Sequence, residues 1–375
     1  MIAVAHLIAP ISFGGGESLL VNLLRERRAG LREIVVSVYR SDLFNQYLDD
    51  MGICHYELRQ RSIGHGIGKV AMGMDTPMTL AHLPRLFHIL RRERIDLLHA
   101  HGFPASVLGC AVCRIIGVRG VYTHHFYRAT PSRIEGAVLG KCYESFAACT
   151  GVSELVTESM RRSFPNMAKR FSTIHNCVGS TFVAPIPTPE FQSLRGIGRM
   201  LFVHVARFRP FKNQMLVVEA LARLTLAERA RVRVVFVGDG SERQAVMARA
   251  RELGLSEEVL FLGAVSYERV PGLLACADYG LFPSENEGFG IGAAECLAAG
   301  LPVLTLDTDL MREVVGDAGL QFPRERFHEG FGAMLEFGPA LRGRAAERAR
   351  SYLPGCIKDE YVTLYRRVGC GTADD

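Results

Sequence analysis

The residues best suited to chemistry fall in two short stretches. The first is Pro283-Ser284-Glu285-Asn286-Glu287-Gly288-Phe289-Gly290-Ile291-Gly292-Ala293-Ala294-Glu295. It follows an apolar strand-like run and opens a helix that stops at Gly300, with Pro302 just beyond. A glycine-bearing turn at a helix N-terminus offers unpaired amide groups, which favour anionic oxygens or sugar hydroxyls. Glu287 lies in the turn itself. Glu295 is expected two turns into the helix among Ala, Cys and Leu, where a carboxylate costs desolvation energy unless it is partnered. Singly, each reads as an ordinary helix charge; eight residues apart with glycines between, they read as a site. The second stretch is His204-Val205-Ala206-Arg207-Phe208-Arg209-Pro210-Phe211-Lys212-Asn213-Gln214. Arg207 ends a strand and Lys212 opens the next helix. Two cations on a strand-end loop suit a diphosphate, the arginine as a planar fork and the lysine as a point charge. Alone, this loop is indistinguishable from a solvated basic loop.

The elements that must position these residues alternate throughout the chain. In the first half, apolar strands are expected at Ile2–Ile8, Ile34–Val38, Leu97–Ala100, Gly120–Thr123 and Ala147–Val152. Helices are expected at Glu17–Glu26, Leu83–Arg92, Ser106–Ile116, Glu135–Phe146 and Glu154–Ser163, the last capped by Ser153. Residues 184–198 hold Pro185, Pro187, Pro189, Gly196 and Gly198, a linker composition. The alternation then restarts with strands at Met200–Ala206, Arg233–Gly238, Val259–Leu262, Tyr279–Pro283 and Pro302–Leu306. Helices lie between them at Met215–Leu224, Glu242–Leu253, Tyr267–Ala275 and Phe289–Ala299. Two βα-repeating halves predict an α/β protein: two Rossmann-like, doubly wound parallel sheets facing a cleft, with ligands at the carboxyl ends of the strands. The expected domains are 1–183 and 199–349, and a tail helix is expected within Glu347–Arg367.

Composition bounds the function. With 375 residues, 48% of them hydrophobic and 22% charged, the chain is globular and not disordered. The net charge of +5 is uneven: residues 1–180 carry 21 Lys and Arg against 14 Asp and Glu, a balance of +7, so the rest carries −2. The first half therefore suits an anionic partner such as a phospholipid surface. No basic-aromatic or zinc-finger pattern supports a nucleic-acid partner. Ten cysteines sit mostly in apolar runs, as buried cytoplasmic thiols do. The N-terminus lacks the basic region of a signal peptide, and no apolar run reaches about 18 residues, the length of a spanning helix.

Arg207 and Lys212, then Val237-Gly238-Asp239-Gly240, Phe261-Leu262-Gly263, and Glu287 with Glu295 resemble, in order and spacing, the retaining glycosyltransferases of family 4 (glycosyl transferases group 1). Gly14-Gly15-Gly16, His99-Ala100-His101, Thr123-His124-His125, Gly151-Val152-Ser153 and Ile174-His175-Asn176 extend the resemblance over most of the chain. It implies the GT-B fold, with a terminal helix of about 350–368 crossing back to the first domain. It also implies a nucleotide-sugar donor on the second domain and an acceptor on the first. In that reading Arg207 and Lys212 hold the donor diphosphate, and Glu295 receives the ribose hydroxyls. Glu287 touches a donor-sugar hydroxyl, and the backbone of Gly288, Phe289 and Gly290 closes on sugar and phosphate. Gly15 approaches phosphate or acceptor from the other domain, and His124 matches the histidine near the reacting carbon, with His125 adjacent to it. Asn176-Cys177-Val178-Gly179 departs from the Asn-Gly-Val-Asp of the family.

The implied chemistry is transfer of a sugar to a glycan or lipid-linked acceptor in lipopolysaccharide, polysaccharide or glycolipid synthesis. The cations and the helix N-terminus would neutralise the leaving diphosphate without a metal. Asp307-Thr308-Asp309 has Asp-x-Asp spacing but comes late in the chain, so no metal and no other cofactor is expected. Lys69–Arg94, with Met72, Met74, Met78 and a basic amphipathic segment carrying Arg85, Arg91, Arg92 and Arg94, is a candidate for peripheral docking on the inner membrane face of a cytoplasmic enzyme. The alternatives are a nucleotide-sugar epimerase of the same fold and a two-lobed binding protein without chemistry.

Overall fold

A computed structural model of the chain describes residues 1–10, 14–59, 80–127 and 133–370. It confirms the α/β class: two parallel sheets, each covered by helices. The chain divides into two compact units, Met1–Cys177 with Pro354–Asp375, and Val178–Leu353. The Pro- and Gly-rich 184–198 stretch belongs to the second unit, where Phe191 is buried and Thr188 approaches Gly272.

In the first unit the strands are β1 (Ile2–Ile8), β2 (Leu31–Ser37), β3 (His55–Glu57), β4 (Leu97–His101), β5 (Arg119–His124), β6 (Ala148–Gly151) and β7 (Phe171–Thr173). Their order in the sheet is β3-β2-β1-β4-β5-β6-β7, all parallel. The order reverses between β1 and β4, which makes their carboxyl ends the switch point. The helices are α1 (Gly15–Arg25), α2 (Asp42–Asp50), α3 (Leu83–Arg92), α4 (Phe103–Ile116), α5 (Arg133–Ser145) and α6 (Glu154–Ser163). Ser153 caps α6 by accepting from the Val156 amide at 3.2 Å, as its position predicted. One sheet face packs Val4, Leu97, Val121 and Ala148 against Leu19 and Leu23 of α1 and against Ile357, Tyr361 and Tyr365 near the C-terminus.

The second unit has β8 (Met200–Val205), β9 (Val232–Val237), β10 (Val259–Gly263), β11 (Tyr279–Phe282), β12 (Val303–Leu306) and β13 (Gly319–Phe322), ordered β10-β9-β8-β11-β12-β13. Its switch point lies between β8 and β11. Besides short helices at Pro189–Gln192 and Leu226–Ala230, its helices are α7 (Gln214–Ala222), α8 (Arg243–Glu252), α9 (Val270–Leu274), α10 (Ile291–Ala298), α11 (Asp309–Val314) and α12 (Glu329–Ala349). The final helix, α13 (Pro354–Cys370), returns to the first unit.

Several expected elements shift, three of them for local reasons. The helix after β11 begins at Ile291, not Phe289, because Gly290 takes a left-handed conformation with φ 83°. The expected tail helix is broken: Glu347 lies in the last turn of α12, which ends at Ala349, and Leu353 is extended ahead of Pro354, whose ring disfavours helical geometry in the residue before it. Tyr267–Arg269 form a tight 3₁₀ turn before α9. The Lys69 end of the basic amphipathic segment, with Met72, Met74 and Met78, lies outside the described residues. Its described part, α3, turns Leu86, Ile89 and Leu90 into the core and leaves Arg85, Arg91 and Arg92 exposed.

Candidate active site

The second unit gathers its candidate residues at the switch point. The loop after β8 carries Arg207 and Lys212, and the loop after β11 carries Glu287 through Gly290. Because β8 and β11 are neighbours, the loops lie side by side and are sewn together. The Asn213 side-chain amide donates to the Pro283 carbonyl at 2.9 Å, and the Glu285 amide donates to the Phe211 carbonyl at 2.8 Å. The Lys212 ammonium pairs with Glu287, both half-buried, and sits 5.3 Å from the centroid of the Phe282 ring. Asn213 is in the left-handed region at φ 56°, which asparagine tolerates, and its side-chain oxygen accepts from Arg324 at 2.8 Å. Arg207 is exposed, and its carbonyl is fixed by Gln214 at 3.1 Å.

A third loop, after β9, closes against the first. Phe208 donates to the Asp239 carbonyl at 2.9 Å. A Cβ on Gly238 would stand 2.2 Å from the Ala206 carbonyl oxygen, at a φ of +131°, so this approach requires glycine. Gly288 is half-buried. Phe289 is buried edge-on against Tyr352 at 5.2 Å, and Gly290 caps α10.

Glu295 lies about one turn into α10 and is 6% exposed. Burial pushes its carboxyl up to about 8, against a hydrogen bond from Tyr267 and the charge of Lys212. Such a group holds its proton at neutral pH.

In the first unit Gly15 is exposed at the first position of α1, after Gly14, whose amide donates to Glu17 at 3.2 Å. His124 ends β5, and its Nδ1 lies 3.0 Å from the Tyr122 hydroxyl and 3.3 Å from that of Tyr143. The adjacent His125 differs: both its ring nitrogens are buried and without a hydrogen-bond partner. Burial and the neighbouring His124 pull it down to about 3, so it is a neutral imidazole. Asn176 is buried, with an unpartnered side-chain oxygen.

Asp307 and Asp309 both pair with Arg312, which occupies them as an arginine clamp. Among the described residues one group brings three metal-type ligand atoms within 4.8 Å of one another: His6, His99 and His101, all buried in the first unit. Hydrogen bonds already engage His6 and His99 at both nitrogens. The sequence reading passed over His6 and the ion pair beside it, Glu33 with Lys358. Polar residues inside an otherwise apolar buried parallel strand were the available signal; a pairing across 325 residues leaves none.

Two doubly wound α/β units, the second with cationic and glycine-rich loops at its switch point, define a two-domain α/β protein of the Rossmann-like class. The sequence pattern of glycosyl transferases group 1 matches residues 189–350, and that of glycosyltransferase family 4 matches residues 13–181. The chain belongs to this glycosyltransferase family, on the GT-B fold. It is 28% identical to the putative glycosyltransferase EpsF of Bacillus subtilis, over 96% of this chain and 90% of that one. It is also 28% identical to N-acetyl-alpha-D-glucosaminyl L-malate synthase of Bacillus anthracis, over 65% of each. In fold it is similar to Anabaena Alr3699/HepE in complex with UDP and glucose. There the TM-score is 0.80 at 20% identity, with 98% of this chain and all of that one covered.

Proposed function

We propose that the chain transfers a sugar, with retention of anomeric configuration, from a nucleotide diphosphate to a glycan or lipid-linked acceptor in cell-surface polysaccharide or glycolipid synthesis. The observation that carries this is the paired loops of β8 and β11, with Arg207, Lys212 and Glu287 beside the N-terminus of α10. Lys212 and Glu287 neutralise each other in the free protein. A donor diphosphate would take Lys212, freeing Glu287 for a sugar hydroxyl, while Glu295 receives the ribose. Arg207, Lys212 and the α10 amides then hold the charge that grows on the leaving group. The bond from the anomeric carbon to the phosphate oxygen breaks, the acceptor oxygen bonds that carbon on the same face, and the acceptor proton passes to the departing phosphate. These fixed charges supply the neutralisation without a metal, so EDTA should leave turnover unchanged.

The first unit is the acceptor side, with Gly15 at its switch point. On that unit His125, with its unpartnered nitrogens, is the better candidate for a hydroxyl contact than the tyrosine-bound His124. Leu83, Phe87, Val112 and Ile115 line a groove of about 160 Å³, and the exposed Arg91 of α3 lies over the Phe87 ring at 4.1 Å. That combination suits an anionic lipid surface, and no helix among the described residues is long and apolar enough to cross a membrane.

The deciding experiment is a thermal-shift screen with UDP, GDP, ADP and their sugars. UDP comes first because Alr3699/HepE carries it. The correct nucleotide raises the melting temperature by mass action, and the corresponding nucleotide sugar is then slowly hydrolysed without acceptor. No shift with any base, or an isomerised donor, would overturn the reading. Liposome binding that rises with anionic lipid and falls with salt tests the membrane side.

A further inference from the structure

On the sheet face that α13 covers, the strands turn polar toward their carboxyl ends. His6 pairs in register with His99, Ile8 with His101, and His101 with Thr123, which pairs with Thr150. All three histidines are buried. From α13, Lys358 places its ammonium 2.7 and 2.6 Å from the two carboxylate oxygens of Glu33 and 3.1 Å from the Leu23 carbonyl. Glu33 stands 3.0 Å from His6 Nε2, and His6 Nδ1 stands 3.1 Å from His101 Nε2.

Donors and acceptors along this line can be assigned. Burial pushes the Glu33 carboxyl up, but the His6 and Lys358 hydrogen bonds and charges outweigh it, so Glu33 is a carboxylate and only accepts. His6 Nε2 therefore donates. Burial holds His6 neutral, so its Nδ1 is a bare lone pair. His101 Nε2 must then donate to it. Burial, with the neighbouring His99 and His6, keeps His101 neutral too, and its own Nδ1 is left bare. That nitrogen is buried and without a partner. Just past the end of the next strand, β5, His125 lies 5.7 Å from His101, ring centroid to centroid, with both nitrogens also unpartnered. His99 is closed off by Tyr365 and Thr123, each at 2.7 Å.

We propose that Lys358, Glu33 and His6 are positioning residues that fix the tautomer of His101, and that His101 Nδ1 together with His125 forms a hydroxyl-recognition site for a sugar at the carboxyl end of the first sheet. The proposal rests on the glycosyl-transfer reading above. Three buried nitrogens with no protein partner, on adjacent strand ends, match the alternating donors and acceptors of a sugar's hydroxyls.

The first test needs no variant. Two-bond proton–nitrogen spectra of the histidine-labelled full chain should show His6 and His101 as neutral Nε2–H tautomers, and Glu33→Gln should mix the His101 tautomers. An Nδ1–H His101 in the wild type overturns the relay. So does one equivalent of zinc in the purified protein whose removal shifts the His101 signals, because the three histidines would then be ligands.

The second test is His101→Phe, which keeps a flat ring and removes the nitrogen. UDP affinity, read by thermal shift, should stay within twofold, since UDP carries no sugar. Acceptor-free hydrolysis of UDP-glucose, or of the donor the screen selects, and transfer from it to washed bacterial membranes are then compared. Loss of at least tenfold in both assays assigns a donor-sugar hydroxyl; loss in transfer alone assigns an acceptor hydroxyl. Unchanged rates in both overturn the site. If no nucleotide shifts the wild type, the donor reading fails while the tautomer spectrum still decides the relay.

Discussion

The two units share one winding scheme but place their ion pairs in opposite surroundings. In the second unit Arg207 is exposed, and Lys212 and Glu287 pair half-buried in loops. In the first unit the ionic pair, Lys358 with Glu33, is almost wholly buried within the core, and neutral histidines line the strand ends. An ion pair in a solvent-accessible loop can be exchanged for a ligand at small cost, whereas one sealed in a core can only be structural or orienting. The difference separates an ion pair open to exchange from one sealed into the fold.

The largest effect should come from breaking the buried pair on one side. Lys358→Met leaves Glu33 uncompensated and should cost about 3–5 kcal/mol of stability in denaturant unfolding. The paired change Glu33→Leu with Lys358→Met should recover most of that loss. Equal losses in single and paired variants would erase the contrast between the units.

Next is activity. Arg207→Ala or Lys212→Ala should lower turnover about 10²–10³-fold while leaving the melting temperature near wild type, because the loops and not the core lose a charge. Wild-type turnover in either variant would remove the diphosphate role.

The backbone approach of the loop after β9 gives a smaller effect. Gly238→Ala puts a Cβ against the Ala206 carbonyl and should destabilise the second unit by about 1–3 kcal/mol, with weaker nucleotide binding. The smallest effect is the pH dependence set by Glu295. Its folded pKa of about 8 is raised from 4.5, so the fold holds a proton that the unfolded chain gives up. Its contribution is fully present below about 4.5 and is lost as pH rises toward 8. Nucleotide binding that uses the carboxylate should release that proton. Affinity should therefore rise from pH 6.5 to 8, read as buffer-dependent heat in calorimetry, and Glu295→Gln should flatten the dependence.

The sequence disclosed these units unequally. Leu83–Arg92 and Glu154–Ser163 were legible to the residue because apolar spacing and caps are local signals. The long helix α12 was not, since Gly330, Gly338 and Pro339 break its pattern; Gly338 is there because a Cβ would strike the Tyr279 ring at 2.4 Å. The strands β3, β7 and β13, of three or four residues each, are too short to show a period. The loops carrying Arg207, Lys212 and Glu287 were readable because each follows an apolar strand and precedes a helix. The histidine relay was not, because its members join β1, β2, β4 and α13 only through tertiary packing.

The return of α13 to the first unit fixes an order of events during synthesis. A ribosome makes the seven strands of the first sheet early and the whole second unit next, and only then the residues that supply Lys358, Tyr361 and Tyr365. Until those emerge, the nascent first sheet carries an uncovered apolar face and a carboxylate at Glu33 without its cation. The first unit is therefore begun first and completed last, and a chain released a few dozen residues early would expose that face to chaperones and proteases.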